Sequence, residues 1–172
     1  MQSRKSRTVG RKPPHPIESM PHPPRIAGDV SLFDLITGSF RRLLGRELAP
    51  PSADAEWLYH RAPFVVLAHD GGPDPRFIYA NKTAQACFEY SVDELIGLPS
   101  RLSAEAPERA ERQRLLDRVS RDGFIADYSG IRIAKSGRRF RIENAIVWQL
   151  RDADGTHHGQ AATFTEWHDL PA

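Results

Sequence analysis

Cysteine is almost missing from this chain: Cys87 is the only one in 172 residues. A single thiol excludes an intramolecular disulfide, a CxxC redox pair and a multi-cysteine zinc site. No apolar run approaches the ~18 residues of a membrane-spanning helix, and the amino-terminal stretch lacks the apolar segment of a secretory signal. These absences point to an unanchored, cytoplasmic protein. Nucleophile motifs are also lacking. His69 stands beside Asp70, but no serine or cysteine nearby in sequence occupies a recognised nucleophile context, so the expectation is a protein without enzymatic activity.

Charge is scarce in sum and uneven in distribution. The formal net charge is only +2, yet residues 1–28 hold Arg4, Lys5, Arg7, Arg11, Lys12 and Arg25 against Glu18 alone. That leader therefore carries +5, leaving −3 for the rest of a +2 chain. A basic tail attracts nucleic acid or acidic surfaces. High charge with few apolar residues equally describes a disordered, solvated leader, which is the reading adopted, with nucleic-acid binding not expected beyond this weak basic segment. Six of the 14 prolines fall between Pro13 and Pro24, removing backbone donors and keeping the segment out of a core.

What is present suffices for one compact domain: 40% of residues are hydrophobic. Leu32, Leu35, Ile36, Phe40, Leu43 and Leu44 recur at helical spacing, with Asp29 or Ser31 as start signal and Gly45 as stop. The apolar stripe of this helix requires cover, either from its own domain or from a second copy of the chain. Residues 52–60 read as a second short helix. The division is thus a leader over 1–28, a helical segment over 29–60 and a folded domain over 61–168.

Residues 64–68 form a short apolar strand, Asp70 to Pro75 a turn and Arg76 to Ala80 a second strand. Asn81 can cap a helix burying Ala84, Cys87 and Phe88, and Ser91 with Glu94 has the spacing of a capping box. A helix between Pro107 and Gly123 turns Ala110, Leu115, Leu116 and Val119 inward; its arginines, interspersed with acids, read as a solvated face. Three strands close the chain, about 124–134, 139–150 and 158–167. Over 139–150 the alternation predicts that Phe140, Ile142, Asn144, Ile146, Trp148 and Leu150 share one face. Hairpins at both ends imply an α+β fold: a five-stranded antiparallel sheet with helices on one face, preceded by amino-terminal helices.

Gly130 to Phe140, the block Glu143 to Trp148, the turn Asp152 to Gly155, His157 and the ending Phe164 to Trp167 resemble the MEKHLA domain. That domain occurs in plant class III homeodomain leucine-zipper proteins and as stand-alone bacterial proteins. The resemblance covers about residues 55–168 and implies a PAS-like fold, because the family is PAS-related. Tyr79-Ala80-Asn81, Phe88 to Ser91 and Glu94-Leu95-Ile96-Gly97 are similar to the corresponding pieces of PAS domains generally. No homeodomain or leucine zipper is present, so transcription-factor activity is not carried across.

The resemblance implies a sensory or regulatory module, with an unknown small molecule in a pocket between sheet and helices. Its cofactor is not named by the sequence. A covalent flavin adduct is disfavoured because Ser100 stands roughly where the light-sensing subclass has its cysteine, and a hydroxyl is a poor nucleophile beside a thiol. Haem is disfavoured because residues 108–121, where oxygen-sensing PAS domains place their ligand, contain no histidine. His157 and His158 are adjacent on a strand edge and point to opposite faces, which argues against a shared metal. Asn144, in an otherwise apolar row, needs a hydrogen-bond partner when buried. Together with Arg101, Tyr128, Trp148 and Gln160, it makes up the expected ligand-binding set. The alternative is an interaction domain with a filled core, homodimerising through the helix at 29–45.

Overall fold

The computed structural model describes residues 26–172, without the side chains at 106 and 107. The basic leader is outside the described residues up to position 25. Its last three residues, Ile26–Gly28, form a 3-10 turn in which Ile26 is buried. Helix α1 (Val30–Leu44) follows, capped by Asp29, whose carboxylate accepts the Leu32 amide, and stopped by Gly45 in the left-handed region at φ 68°. Helix α2 is Ala55–His60. Strands β1 (Val65–Asp70) and β2 (Phe77–Ala80) make the first hairpin. Helices α3 (Lys82–Phe88) and α4 (Val92–Leu95), a 3-10 turn at Ser100–Ser103, and α5 (Ala106–Asp122) then lead to β3 (Phe124–Ile133), β4 (Arg139–Arg151), β5 (His157–Phe164) and β6 (Glu166–Asp169).

The sheet is antiparallel with strand order β2-β1-β5-β4-β3, and β6 adds to β4. Chain ends therefore meet at the middle: β5 pairs with both β1 and β4. Asn81, fully buried, is the hinge of the first half. Its Oδ1 accepts from Val66 N and Ala84 N, both at 3.0 Å, while its Nδ2 donates to the carbonyls of Leu58 and Phe64. One amide thus caps α3 and fixes α2 and β1 to it. The Ser91–Glu94 capping box forms as expected.

Six strands replace the expected five, because the last strand is split at Thr165. The helices also occupy both faces of the sheet. α3, α4 and α5 cover the inner face, where Val65, Leu67, Phe140, Ile142, Ala145, Val147 and Phe164 meet Phe88, Leu115 and Val119. α1 and α2 cover the outer face, where Ile36, Phe40, Leu58 and Tyr59 meet Val66, Tyr79, Trp148 and Leu150. The amphipathic stripe of α1 is buried on its own sheet, with Phe40 edge-on to Trp148 at 5.0 Å.

The predicted common face along β4 does not exist: Phe140 and Ile142 face inward, whereas Ile146, Trp148 and Leu150 face outward. The reversal has a local cause. Tyr128 pairs with Ala145 and Gly130 with Ile142, so β4 sets residues 143 and 144 against residue 129 of β3. Asn144 takes a left-handed φ of 51°, and the bulge turns every later side chain to the other face. β4 also changes partner here, from β6 up to Glu143 to β5 from Ile146. Asparagine is among the few residues with a side chain that tolerate this conformation. Among the described residues no helix is long and apolar enough to cross a membrane.

Candidate functional site

A cavity of about 60 Å³ lies on the inner face, between α5 and the centre of the sheet. It is room for about two waters at ~30 Å³ each, far below the ~300 Å³ at which small-molecule pockets begin. A ring system of flavin size needs lining side chains to move. Leu67, Phe88, Leu115, Ile142 and Val147 form the apolar wall, and the polar part is His69, Ser103, Arg112, Tyr128, Arg132 and Gln160. Larger depressions, such as the 740 Å³ groove bordered by α1 and Asp152, lie elsewhere on the surface.

Register places the polar groups. His69 of β1, Gln160 of β5 and Gln149 of β4 are consecutive cross-strand partners, forming a polar row over three strands. Gln149 Nε2 donates to the Ser120 carbonyl at 2.8 Å, and Gln160 Nε2 donates to the Leu116 carbonyl at 3.2 Å and to Ser120 Oγ at 3.1 Å. Two glutamines therefore tie α5 to the sheet. Gln160 is 4% exposed, and its Oε1 has no partner among the described residues. A buried acceptor left so costs ~1–3 kcal/mol unless something donates to it.

Arg112 and Arg132 are both 7% exposed. Arg112 sits at i with Leu115, Leu116 and Val119 at i+3, i+4 and i+7, so helical phase turns it inward. Its Nη2 donates to the buried Ser100 Oγ at 2.6 Å. Burial, then the charge of Arg132, pull the Arg112 guanidinium down to about 10, which still leaves it protonated at neutral pH. Arg132 donates to the Ile131 carbonyl at 2.7 Å and to Tyr128 Oη at 3.3 Å, and Tyr128 O–H in turn donates to the Glu111 carboxylate at 2.9 Å. Burial pushes the Tyr128 phenol above its ordinary range. The arginine ion pairs among the described residues, Arg101 with Asp74, Arg138 with Glu89 and Arg139 with Glu105 among them, include neither Arg112 nor Arg132.

Gly130 gives the Tyr128 ring its place. A Cβ at this glycine would lie 2.5 Å from Tyr128 Oη, so the ring crosses the space a side chain would fill. His69 Nδ1 lies 2.7 Å from the Asp70 carbonyl; with the proton assigned to Nδ1, Nε2 is left as an acceptor. Burial is the main cause lowering the His69 pKa, so the ring is neutral at pH 7. Burial also pushes the Cys87 thiol up to about 12, making it an inert core side chain.

Of the five residues expected around a pocket, the fold brings Tyr128 and Gln160 together at this cavity. Trp148 lies across the sheet, beyond the Asn144 bulge. Asn144 is exposed, its Nδ2 donating to Glu166 at 3.3 Å, and Arg101 is exposed beside Asp74 at 3.2 Å. His158 bonds Asp152 at 2.9 Å, and no cluster of His, Cys, Asp or Glu suited to a metal occurs among the described residues. Sequence reasoning missed Arg112 and Arg132. The signal for Arg112 was its phase with Leu115, Leu116 and Val119; for Arg132 there was none, because its neighbours Ile131 and Ile133 are the more apolar pair, yet β3 turns them outward.

A family model described as the MEKHLA domain matches residues 30–169. The chain belongs to the MEKHLA family. The matched segment of this MEKHLA protein includes α1, and so reaches further toward the amino terminus than the motifs alone suggested. Comparison with curated proteins gives no match. Solved structures share its fold at low identity. A PAS domain from Colwellia psychrerythraea is 15% identical with a TM-score of 0.55, over 65% of this chain and 90% of that one. The light-state dimer of the fungal blue-light photoreceptor Vivid is 17% identical with a TM-score of 0.55, over 88% and 100%. The blue-light-activated histidine kinase of Erythrobacter litoralis is 17% identical with a TM-score of 0.53, over 67% of this chain and 35% of that one. This MEKHLA domain thus has the PAS fold.

Proposed function

We propose that this MEKHLA domain is a non-enzymatic sensory or regulatory module whose inner cavity receives a small ligand. Gln160 carries the reading: its Oε1 is a buried acceptor without a partner among the described residues, and its side chain lines a cavity that also borders two buried guanidinium groups. A stable core ordinarily satisfies such groups, and a ligand entering the cavity would do so. The readout runs through the sheet, because β4 and β5 carry the cavity lining on one face and the α1 docking surface on the other. The test is a melting-temperature screen of the full chain against a metabolite collection, repeated on Ala162→Leu, which narrows the cavity. A ligand that raises the melting point of the wild type and not of Ala162→Leu supports the reading. No stabilising compound, together with a more stable Ala162→Leu, contradicts it, since filling an idle void stabilises.

The second reading is an interaction or homodimerisation module with a filled core, favoured by the small volume of the cavity. Because the apolar stripe of α1 is used within the chain, a dimer through residues 29–45 relies on the exposed side of α1, where Val30 is 63% exposed, or on undocking of that helix. Sedimentation of the wild type and of Val30→Asp over a concentration range decides it. A dimer lost in Val30→Asp supports association through this side, and a concentration-independent monomer removes it.

A further inference from the structure

Arg112 and Arg132 are cations that cannot shed their protons at physiological pH. Both are nine-tenths buried, both border the same cavity, and neither forms an ion pair with an acid among the described residues. Arg132 reaches Glu111 only through the Tyr128 hydroxyl, and Arg112 reaches only the neutral Ser100 hydroxyl and, at longer range, the field of Asp74. Two like charges held beside each other in a low-dielectric interior repel, and buried charge is ordinarily matched by an opposite charge. Arg112 Nη2 is used on Ser100 Oγ, and its Nε and Nη1 make no hydrogen bond to the described residues while keeping some contact with solvent. The missing component is an acceptor with negative charge. Its size is set by a cavity of about 60 Å³, room for roughly two waters.

We propose that the ligand of this cavity is a small monovalent oxyanion, a short carboxylate, accepting from Arg112 and Arg132. This inference rests on reading the cavity as a ligand site and adds the ligand's charge and size. Planar guanidinium donors suit a carboxylate, which accepts two parallel N–H bonds. Gln160 Oε1 takes a hydrogen bond from a water that enters with the anion; the two together exceed the volume of about two waters, so the lining side chains give way to admit them. The apolar wall of Leu67, Leu115 and Val147 suits a short alkyl group and disfavours a second charge.

The test is thermal unfolding of the full chain at constant ionic strength, titrated with sodium formate, sodium acetate and the neutral acetamide, for the wild type and Arg112→Met. The expected result is a saturable rise of a few degrees with formate or acetate in the wild type, none with acetamide, and none with any of the three in Arg112→Met. Equal responses of the two proteins to the anions overturn the inference. Saturation by acetamide alone overturns the charge assignment and leaves the cavity a ligand site; no response to any probe overturns the assignment to a ligand of this size. If Arg112→Met does not fold, ¹³C-acetate line broadening with the wild type gives the decision. Broadening that saturates and is competed away by formate supports the site, and broadening that only grows linearly overturns it.

Discussion

Trp148 Nε1 donates to Ser39 Oγ at 3.2 Å, tying the largest fully buried side chain of the sheet to the middle of α1. Ser39 Oγ itself donates to the Leu35 carbonyl. Ser39→Ala leaves the indole N–H unpaired in the core, so the expected loss is about 1–2 kcal/mol in chemical denaturation. Hydrogen exchange in α1 rises more than in β4, because the deleted bond holds the helix to the sheet. An unchanged stability would mean that α1 docking does not depend on this contact.

Asn81 makes four hydrogen bonds joining α2, β1 and α3. Asn81→Ala removes a helix cap and strands two amides and two carbonyls, at a cost of about 3 kcal/mol. Asn81→Asp keeps the two acceptor bonds and loses the two donor bonds, so it falls short of wild type as well. Urea unfolding of the three proteins measures the order.

Gly130 leaves room for the Tyr128 ring. Gly130→Ala displaces that ring from Arg132 and Glu111, lowering stability by about 2 kcal/mol through overpacking. The phenol spectrum reports the displacement: the pKa of Tyr128, raised by burial, moves back toward its ordinary value. Tyrosine titration followed in the ultraviolet is the measurement.

His69 gives the fold a pH dependence of definite sign. Its folded pKa lies below 6.5, so the unfolded chain takes up the proton first. The stability from the neutral ring is complete above pH 6.5 and is lost as pH falls from there toward the folded value. Burial dominates; Arg112 and His157 act in the same direction and Asp70 opposes them. His69→Gln should flatten the fall in melting temperature between pH 7.5 and 5.5. Some slope remains, because burial lowers the His157 pKa too.

The fold was legible because each local signal agreed with the global one. Asn81, the Ser91–Glu94 box, Gly45 and the turn residues stand at the positions where α3, α4, α1 and the hairpins begin or end. The Asn144 bulge was not legible: along 139–150 Asn144 reads as one polar residue within an apolar row, and a bulge arises from pairing with β3. That single insertion moved Trp148 off the cavity face and left Asn144 itself exposed, while Arg101 lies apart, exposed on the turn before α5. The interspersed acids of α5 concealed Arg112, since charge pattern and helical phase disagreed and phase prevailed.

The most direct measurement is a pair of crystal structures of the full chain, grown without carboxylate or phosphate, one of them soaked in formate. The expected result is planar density within hydrogen-bond reach of Arg112 in the soaked crystal, with a water donating to Gln160 Oε1. A cavity unchanged by the soak, or Arg112 turned out to bulk solvent in both crystals, would contradict the account.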